Sequence, residues 1–247
     1  MNFLRATWSN LVMVNYAVQP ELLQPYLPFG TELDYFEGKT YVSLVGFMFM
    51  RSRVFGLRIP WVGTFEEINL RFYVTRKDDG GIRRGVVFIN ETVPNGVVAW
   101  VARRLYNEQY TVKSVSHKWE MDDTNKHIEY YWYHKGELNR IAVTTKREMQ
   151  EILPRSMEEY IFEHYYGYTR LSATRTAEFK IAHPRWHVNT VLEYEVNVDF
   201  AAMYGNALAD LTGAKPASIL LAEGSDVTVQ WDRTAIQKLP SPVKTDL

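Results

Sequence analysis

A polar face with the chemistry of a binding site lies in the segment from Thr64 to Arg76, TFEEINLRFYVTR. If this segment is a β-strand, successive side chains point to opposite faces, because side chains alternate with a period of two residues. One face is then largely apolar, and the other carries Phe65, Glu67, Asn69, Arg71 and Tyr73. A guanidinium can hold a carboxylate through two charge-assisted hydrogen bonds, so Arg71 is the candidate anchor for an acidic ligand. Glu67 and Asn69 are the candidates for orienting that ligand, and Phe65 and Tyr73 for forming its walls.

The same face has two simpler interpretations. Half-solvated antiparallel strands are common, so the face could meet bulk water, or it could serve a protein interface. The interior of a barrel is the more specific hypothesis, because two aromatic residues bracket the polar face and the opposite face is apolar enough to pack under helices. Glu67 and Arg71 would lie about 13 Å apart along the strand. Their long side chains could still pair and compensate each other's charge in an empty site.

The composition argues against several classes of function. The chain has 247 residues, a formal net charge of −1 and no cysteine. Polyanions are held mainly by an excess of Lys and Arg, so we predict no nucleic-acid partner. Without cysteine there are no disulfides, thiolate metal ligands or cysteine nucleophiles. The start, MNFLRATWSN, lacks the basic segment and apolar run of a signal peptide, and the longest mostly apolar run, YVSLVGFMFM, is about half a membrane span. Both observations predict a cytoplasmic protein without a membrane partner.

Strands dominate the predicted elements that must position the polar face. Alternating patterns with β-branched and aromatic residues predict strands over residues 8–17, 39–50, 66–76, 84–91, 109–120, 127–134, 141–145, 173–183, 188–198 and 226–231. Hairpin-length turns between several of them indicate an antiparallel sheet. Short helices are predicted after Pro20, over residues 97–107, after Ser156 and after Asp199. We therefore predict one mainly β (α+β) domain over residues 1–236 and a polar C-terminal tail over residues 237–247.

Several motifs that occur in order carry a family resemblance. They are Leu27-Pro28, the strand Phe65 to Val74 with the pattern Phe-x-Glu-x-Asn-x-Arg-x-Tyr-Val, Gly85 to Phe88, Ala102-Arg103 and His183-Pro184-x-Trp186. By these motifs the chain resembles the DUF2071 (YqjF-like) family of uncharacterised bacterial proteins, over residues 7–235. That family is similar in turn to acetoacetate decarboxylase. The resemblance implies an antiparallel, cone-like β-barrel of the acetoacetate decarboxylase type, with a ligand-sized cavity and a few short packing helices.

The resemblance does not bring the decarboxylase's chemistry with it. That enzyme forms a Schiff base through one of two adjacent lysines, and the corresponding stretch here, LYNEQYTVKSVSHK, contains no lysine pair. Tyr110 and Thr111 fall where the resemblance places those lysines, and Lys113 is the nearest substitute. An imine-forming lysine must lose its proton near neutral pH, which requires burial or a neighbouring cation. Neither face of the predicted strand is clearly the more apolar, so the direction of Lys113 stays open.

The histidines and a tyrosine cluster offer weaker candidates. His183 and His187 could share one face of a strand, but a metal would need a third ligand, and Pro184 argues against a helical pair. We therefore predict no metal and expect His183 to form hydrogen bonds at the barrel rim. The cluster HYYGYTR is equally compatible with core packing and with a ligand wall, and Tyr168 is its candidate. No phosphate loop or dinucleotide motif occurs, so no cofactor is predicted.

These patterns together predict a protein that binds a small organic molecule, acidic or carbonyl-bearing. The ligand-binding candidates are Phe65, Glu67, Asn69, Arg71, Tyr73, Tyr168 and His183. The alternative is an enzyme, a lyase or hydrolase acting on a keto acid, in which Glu67 serves as acid or base and Lys113 or Tyr110 assists. The sequence leaves the oligomeric state open, including a homo-oligomer.

Overall fold

The computed structural model describes residues 2–58, 63–78, 80–94, 110–231 and 236–237. Within them the chain is mainly β, as predicted. The strands are β1 (Asn2–Val18), β2 (Glu32–Leu33), β3 (Thr40–Val54), β4 (Leu57–Arg58), β5 (Phe65–Asp78), β6 (Gly81–Val93), β7 (Tyr110–Val112), β8 (Val115–Met121), β9 (Asn125–His134), β10 (Glu137–Glu151), β11 (Tyr166–Ser172), β12 (Arg175–Ala182), β13 (His187–Asn197), β14 (Ser218–Trp231) and β15 (Ile236–Gln237). The described helices are α1 (Pro20–Leu23), α2 (Met157–Phe162) and α3 (Phe200–Tyr204), with 3-10 turns at Gln24–Tyr26 and Asn206–Leu211.

Seven of these strands close into a barrel. Each pairs with the next in the order β1, β3, β5, β6, β11, β12 and β14, and β14 pairs with β1. The contact between β6 and β11 is parallel and short, with Tyr166 opposite Gly85 and Gly167 opposite Val86. The other contacts around the ring are antiparallel. Because the ring is closed, each of the seven strands has a neighbouring strand on both of its edges along its paired residues.

A second layer of sheet covers one side of the barrel. It branches from β14, where Ala222 pairs with Val188 of β13, and continues through β10 and β9 to β8. The apolar outer face of β5 packs against it, so that Leu70 lies in one buried cluster with Tyr130 and Ile141. Burying a large aliphatic or aromatic side chain contributes about 1.5–3 kcal/mol, which makes this interface a main source of stability.

Gly46 on β3 lets the two layers approach closely. A Cβ atom at this position would lie 2.8 Å from Cδ1 of Ile141 and 2.9 Å from Cδ2 of Tyr130. Both distances are shorter than van der Waals contact, so any residue larger than glycine would require these side chains to shift.

The register between β5 and β6 contains a bulge that decides which side chains face the barrel interior. Leu70 pairs with Asn90, but the next residue, Arg71, pairs with Phe88. Ile89 is therefore an extra residue on β6. Below the bulge Glu91 lies opposite Asn69.

The described helices begin where the sequence predicted. Two of them end earlier than the patterns after Ser156 and Asp199 indicated, since those patterns predicted helices over residues 157–166 and 200–211. Ser156 and Asp199 cap α2 and α3, since their side chains accept hydrogen bonds from the backbone N–H groups of Glu159 (3.2 Å) and Ala202 (2.9 Å). Helix α2 ends at Phe162 because β11 begins only four residues later, at Tyr166.

Two predictions fall partly or wholly outside the described residues. The helix predicted over residues 97–107 lies within the undescribed stretch 95–109. Of the predicted tail, residue 237 pairs with Arg175 of β12, and residues 238–247 are not described.

Candidate functional site

A cavity lies inside the barrel beside the polar face of β5. Its volume is about 80 Å³. This is well above the roughly 10–15 Å³ that a cavity needs to hold a single water, so the cavity has room for a few waters or a small organic molecule of similar size. Its walls are mostly apolar and aromatic, and its polar wall residues are Glu67, Asn69, Arg71 and Glu91.

Glu67 and Asn69 are almost fully buried, with 4% and 2% of their surface exposed. The Asn69 Nδ2 group donates a hydrogen bond to Glu67 Oε1 at 3.1 Å. Asn69 Oδ1 is buried and has no hydrogen-bond partner among the described residues. The amide therefore fixes the Glu67 carboxylate with one end and keeps an acceptor available with the other.

Arg71 is half-buried at the same wall. Its Nη2 lies 4.0 Å from the Met13 sulfur, and its guanidinium carbon lies 5.8 Å from the centre of the Tyr73 ring. Its Nε is buried without a hydrogen-bond partner among the described residues. The ion pair with Glu67 that the sequence allowed is not formed: Asn69 donates a hydrogen bond to that carboxylate, and within the described part of the chain Arg71 makes no ion pair.

Glu91 is a cavity residue that the sequence did not suggest. It lies opposite Asn69, is 3% exposed, and brings a second carboxylate to the cavity wall. Strict alternation from Phe88 would have placed Asn90 inward, and the bulge at Ile89 shifts Glu91 there instead. A bulge of this kind leaves no clear mark in a single sequence.

Phe65 and Tyr73 lie at the two ends of the polar face and behind the cavity wall. The Phe65 ring stacks on Phe49, with centroids 4.9 Å apart, and Phe49 lines the cavity. The Tyr73 hydroxyl lies 2.5 Å from Ser43 Oγ, which in turn donates to Asn15 Oδ1 at 2.5 Å. Tyr73 thus belongs to a buried hydrogen-bond network that supports the wall.

A second buried polar cluster adjoins Tyr73 and was also missed. The His164 ring lies 4.7 Å from the Tyr73 ring, and its Nε2 lies 3.0 Å from Asp34 Oδ2. Arg84 Nε donates to the same Asp34 oxygen at 2.7 Å. Burial lowers the pKa of His164 to about 4, although Asp34 opposes the shift. Burial also works against the charge of Asp34, but the hydrogen bonds from His164 and Arg84 outweigh it and lower the pKa of that carboxyl.

Tyr168 and His183 do not line the cavity. Tyr168 is buried in the cluster that contains Phe72, on the face of β5 opposite Arg71. The His183 ring lies between Tyr165, at 4.8 Å, and Trp186, at 4.1 Å, and its Nδ1–H donates to the Pro184 carbonyl at 2.8 Å.

Two aromatic rings, Trp186 and Trp8, lie between His183 and the cavity. Trp186 packs 6.3 Å from Trp8, which forms part of the cavity wall. Burial lowers the pKa of His183.

Lys113 lies away from the cavity, beside the second layer. Its Nζ contacts Nδ1 of His134 on β9, whose Nε2–H donates to the Ala202 carbonyl at 3.0 Å. Burial and the charge of Lys135 lower the pKa of Lys113. Tyr110 pairs through its backbone with Glu91, and its side chain is not among those described. Among the described residues no group of three or more His, Asp or Glu side chains could hold a metal ion.

Comparison with known proteins places the chain in a family. The profile of DUF2071, described as "Uncharacterized conserved protein", matches residues 5–226. The chain belongs to the DUF2071 family. "Uncharacterized protein YqjF" of Bacillus subtilis (strain 168) is 35% identical over 81 residues, which make up 32% of this chain and 33% of that protein. The match thus spans about a third of the length of the curated relative.

Solved structures with the same fold cover nearly the whole DUF2071 chain. Acetoacetate decarboxylase from Legionella pneumophila aligns over 96% of this chain and 87% of its own, with a TM-score of 0.63 and 14% identity. An acetoacetate decarboxylase-like enzyme from Sphingomonas wittichii RW1 aligns over 97% and 95%, with a TM-score of 0.65 and 13% identity. The enduracididine biosynthesis enzyme MppR, complexed with pyruvate, aligns over 94% and 91%, with a TM-score of 0.64 and 11% identity. The predicted fold of the acetoacetate decarboxylase type is confirmed. No described helix combines the length and the apolar character that crossing a bilayer requires.

Proposed function

We propose that this DUF2071 protein binds a small organic molecule with a carboxylate or carbonyl group in the barrel cavity. The observation that carries the proposal is the state of Arg71. Its guanidinium reaches the cavity, makes no ion pair within the described residues, and has a buried Nε without a hydrogen-bond partner there. A buried polar group left unpaired costs about 1–3 kcal/mol, so a ligand oxygen that fills the position gains from pairing it.

Two further groups at the wall fit the same kind of ligand. Trp8 lines the cavity, and its buried Nε1–H has no partner among the described residues. Asn69 Oδ1 has no partner among the described residues and can accept a hydrogen bond from a hydroxyl or N–H group. The apolar walls, which include Phe47 and Phe88, suit a short aliphatic chain. MppR has the same fold and has been solved with pyruvate, so short keto acids are the first ligands to test.

Arg71 provides the direct test of the proposal. Differential scanning fluorimetry and calorimetry would compare pyruvate and acetoacetate with pyruvamide, which keeps the carbonyl but loses the charge. We expect Arg71→Met to weaken binding of the acids by about 10- to 100-fold, because a hydrogen bond to a charged group contributes about 1.5–3 kcal/mol.

The matched control is Arg53→Ala, at an exposed arginine on the neighbouring strand β3. This variant should bind like the parent. Equal binding by Arg71→Met and the parent, or no binding of any of the three compounds by the parent, would contradict the proposal.

An imine-forming lyase has less support. Lys113 contacts His134 beside the second layer, and no lysine lines the cavity in the described part of the chain. We therefore expect no covalent adduct after incubation with acetoacetate and borohydride, as read by intact-protein mass spectrometry. An adduct that maps to Lys113 would favour the lyase instead.

A further inference from the structure

The second layer ends at a strand with an open edge. Among the described strands, β8 pairs only with β9, and its other edge carries no pairing. Its seven residues, Val115–Met121, pair with β9 without a register shift and include neither proline nor glycine. Such an edge presents a row of N–H and C=O groups that can template another strand, and proteins usually blunt it with bulges, prolines or charges.

The charges on β8 alternate in sign on its outer face. Lys118 and Glu120 form an ion pair of 2.9 Å, and their side chains are 56% and 60% exposed. On β9, Glu129 lies opposite Lys118 and His127 lies opposite Glu120. On the paired edge of β8, Lys118 thus meets a carboxylate of the neighbouring strand, and Glu120 meets an imidazole.

A second copy of β8 can place opposite charges against Lys118 and Glu120 at the open edge. In an antiparallel pair centred on Trp119, Lys118 lies opposite Glu120 of the second copy, and the reverse contact repeats it across the two-fold axis. Centring the pair on Lys118 or on Glu120 would instead place like charges opposite each other. The charges therefore select one register.

The inner face of β8 supports the same register. Trp119 is 36% exposed and Met121 is 61% exposed, so both have apolar surface that a second strand can cover. Centred on Trp119, the pair brings the two tryptophans together and places Met121 against His117 of the second copy. Aromatic cross-strand pairs stabilise a sheet, and these side chains would lose water contact.

We propose that the protein forms a homodimer through antiparallel pairing of β8 with β8 around Trp119. This pairing joins the second layers of the two copies into one continuous sheet. The partner is a second copy of this chain, because Lys118 and Glu120 of one β8 strand are opposite in charge to Glu120 and Lys118 of the other. A contact of one seven-residue strand is small for an interface, so the dimer dissociates on dilution.

Charge reversal at the edge tests the proposal. Sedimentation velocity over a wide range of concentrations should show the parent shifting from monomer to dimer. Lys118→Glu and Glu120→Lys each set like charges against each other at both cross-dimer positions, so each variant should weaken dimerisation at least about tenfold. The control Lys180→Glu, at an exposed lysine on β12, should dimerise like the parent.

Mixing separates a broken interface from a damaged fold. An equimolar mixture of the Lys118→Glu and Glu120→Lys chains should form heterodimers, because one chain then offers two carboxylates and the other two ammonium groups. The double variant with both changes should recover the homodimer. A parent that stays monomeric, single variants that dimerise like the parent, or a mixture that stays monomeric would overturn the proposal. Circular dichroism of each variant checks that it is folded.

Discussion

His164 is a neutral, fully buried imidazole whose environment makes stability depend on pH. Burial lowers its pKa to about 4 in the folded protein, from an ordinary value of 6.5. Between these values the unfolded chain binds a proton that the folded chain does not, so the free energy of unfolding falls as the pH drops from 6.5 to 4. The full difference corresponds to about 3 kcal/mol. Asp34 contributes at lower pH, because its pKa is lowered below 3.8 and its stabilisation is lost only beneath that value.

A urea-unfolding series from pH 7.5 to pH 4.5 measures this contribution. We expect the free energy of unfolding of His164→Gln to fall less steeply with acidification than that of the parent. Lowered pKa values at His134 and His183 act in the same direction in both proteins, so the comparison isolates His164. Parallel pH profiles for the two proteins would contradict this account.

Part of the cavity could be predicted at the level of residues. Alternation along one strand was enough to group Glu67, Asn69 and Arg71, because the period of a strand fixes which side chains share a face. Alternation failed on the neighbouring strand, where one extra residue moves Glu91 inward. His164 could not be foreseen, because its partner Asp34 lies 130 positions away and no local pattern links them.

At the level of elements, Gly46 sets the spacing between the barrel and the second layer. Gly46→Ala should lower the free energy of unfolding by about 1–3 kcal/mol, since the added methyl group would lie against Ile141 and Tyr130. Urea unfolding measures the loss. Gly63→Ala is the matched control, because a Cβ there meets no atom of the described residues within 4 Å. A smaller loss at Gly46 than at Gly63 would show that the layers can separate freely.

Element boundaries were predicted best where a specific interaction marks them. The side chains of Ser156 and Asp199 mark two helix starts, since their oxygens accept bonds from N–H groups of the first turn. The end of α2 had no such mark. Tyrosines favour strands and also occur in helices, so the run at Tyr165 and Tyr166 did not reveal that β11 begins there.

At the level of the whole molecule, β14 closes the barrel through Thr228, which pairs with Arg5 of β1 and with Ala182 of β12. Thr228→Pro removes a backbone donor from a strand paired on both sides, and we expect a loss on the order of 3 kcal/mol in the free energy of unfolding. Urea unfolding provides the measurement. Thr228→Ala keeps the donor and should lose much less, so equal losses would mean that closure does not depend on that hydrogen bond.

The closed architecture could be predicted only through the family resemblance. The pairing of β1 with β14 joins residues more than two hundred positions apart, such as Trp8 and Ser225. Local patterns specify strands, but they do not specify partners at such separations. Ordered motifs supplied that information because they identify a fold that is already known.

The number of strands in the barrel has a consequence of arithmetic. In a closed barrel with an odd number of strands, neighbouring strands cannot all be antiparallel, so at least one neighbouring pair must be parallel. The seven-strand ring meets this requirement between β6 and β11, where two residue pairs connect the strands. Every other join in the circuit has more pairs, so this seam can part with the least loss of hydrogen bonds. If ligand entry requires the barrel to open, we expect the β6–β11 contact to separate first.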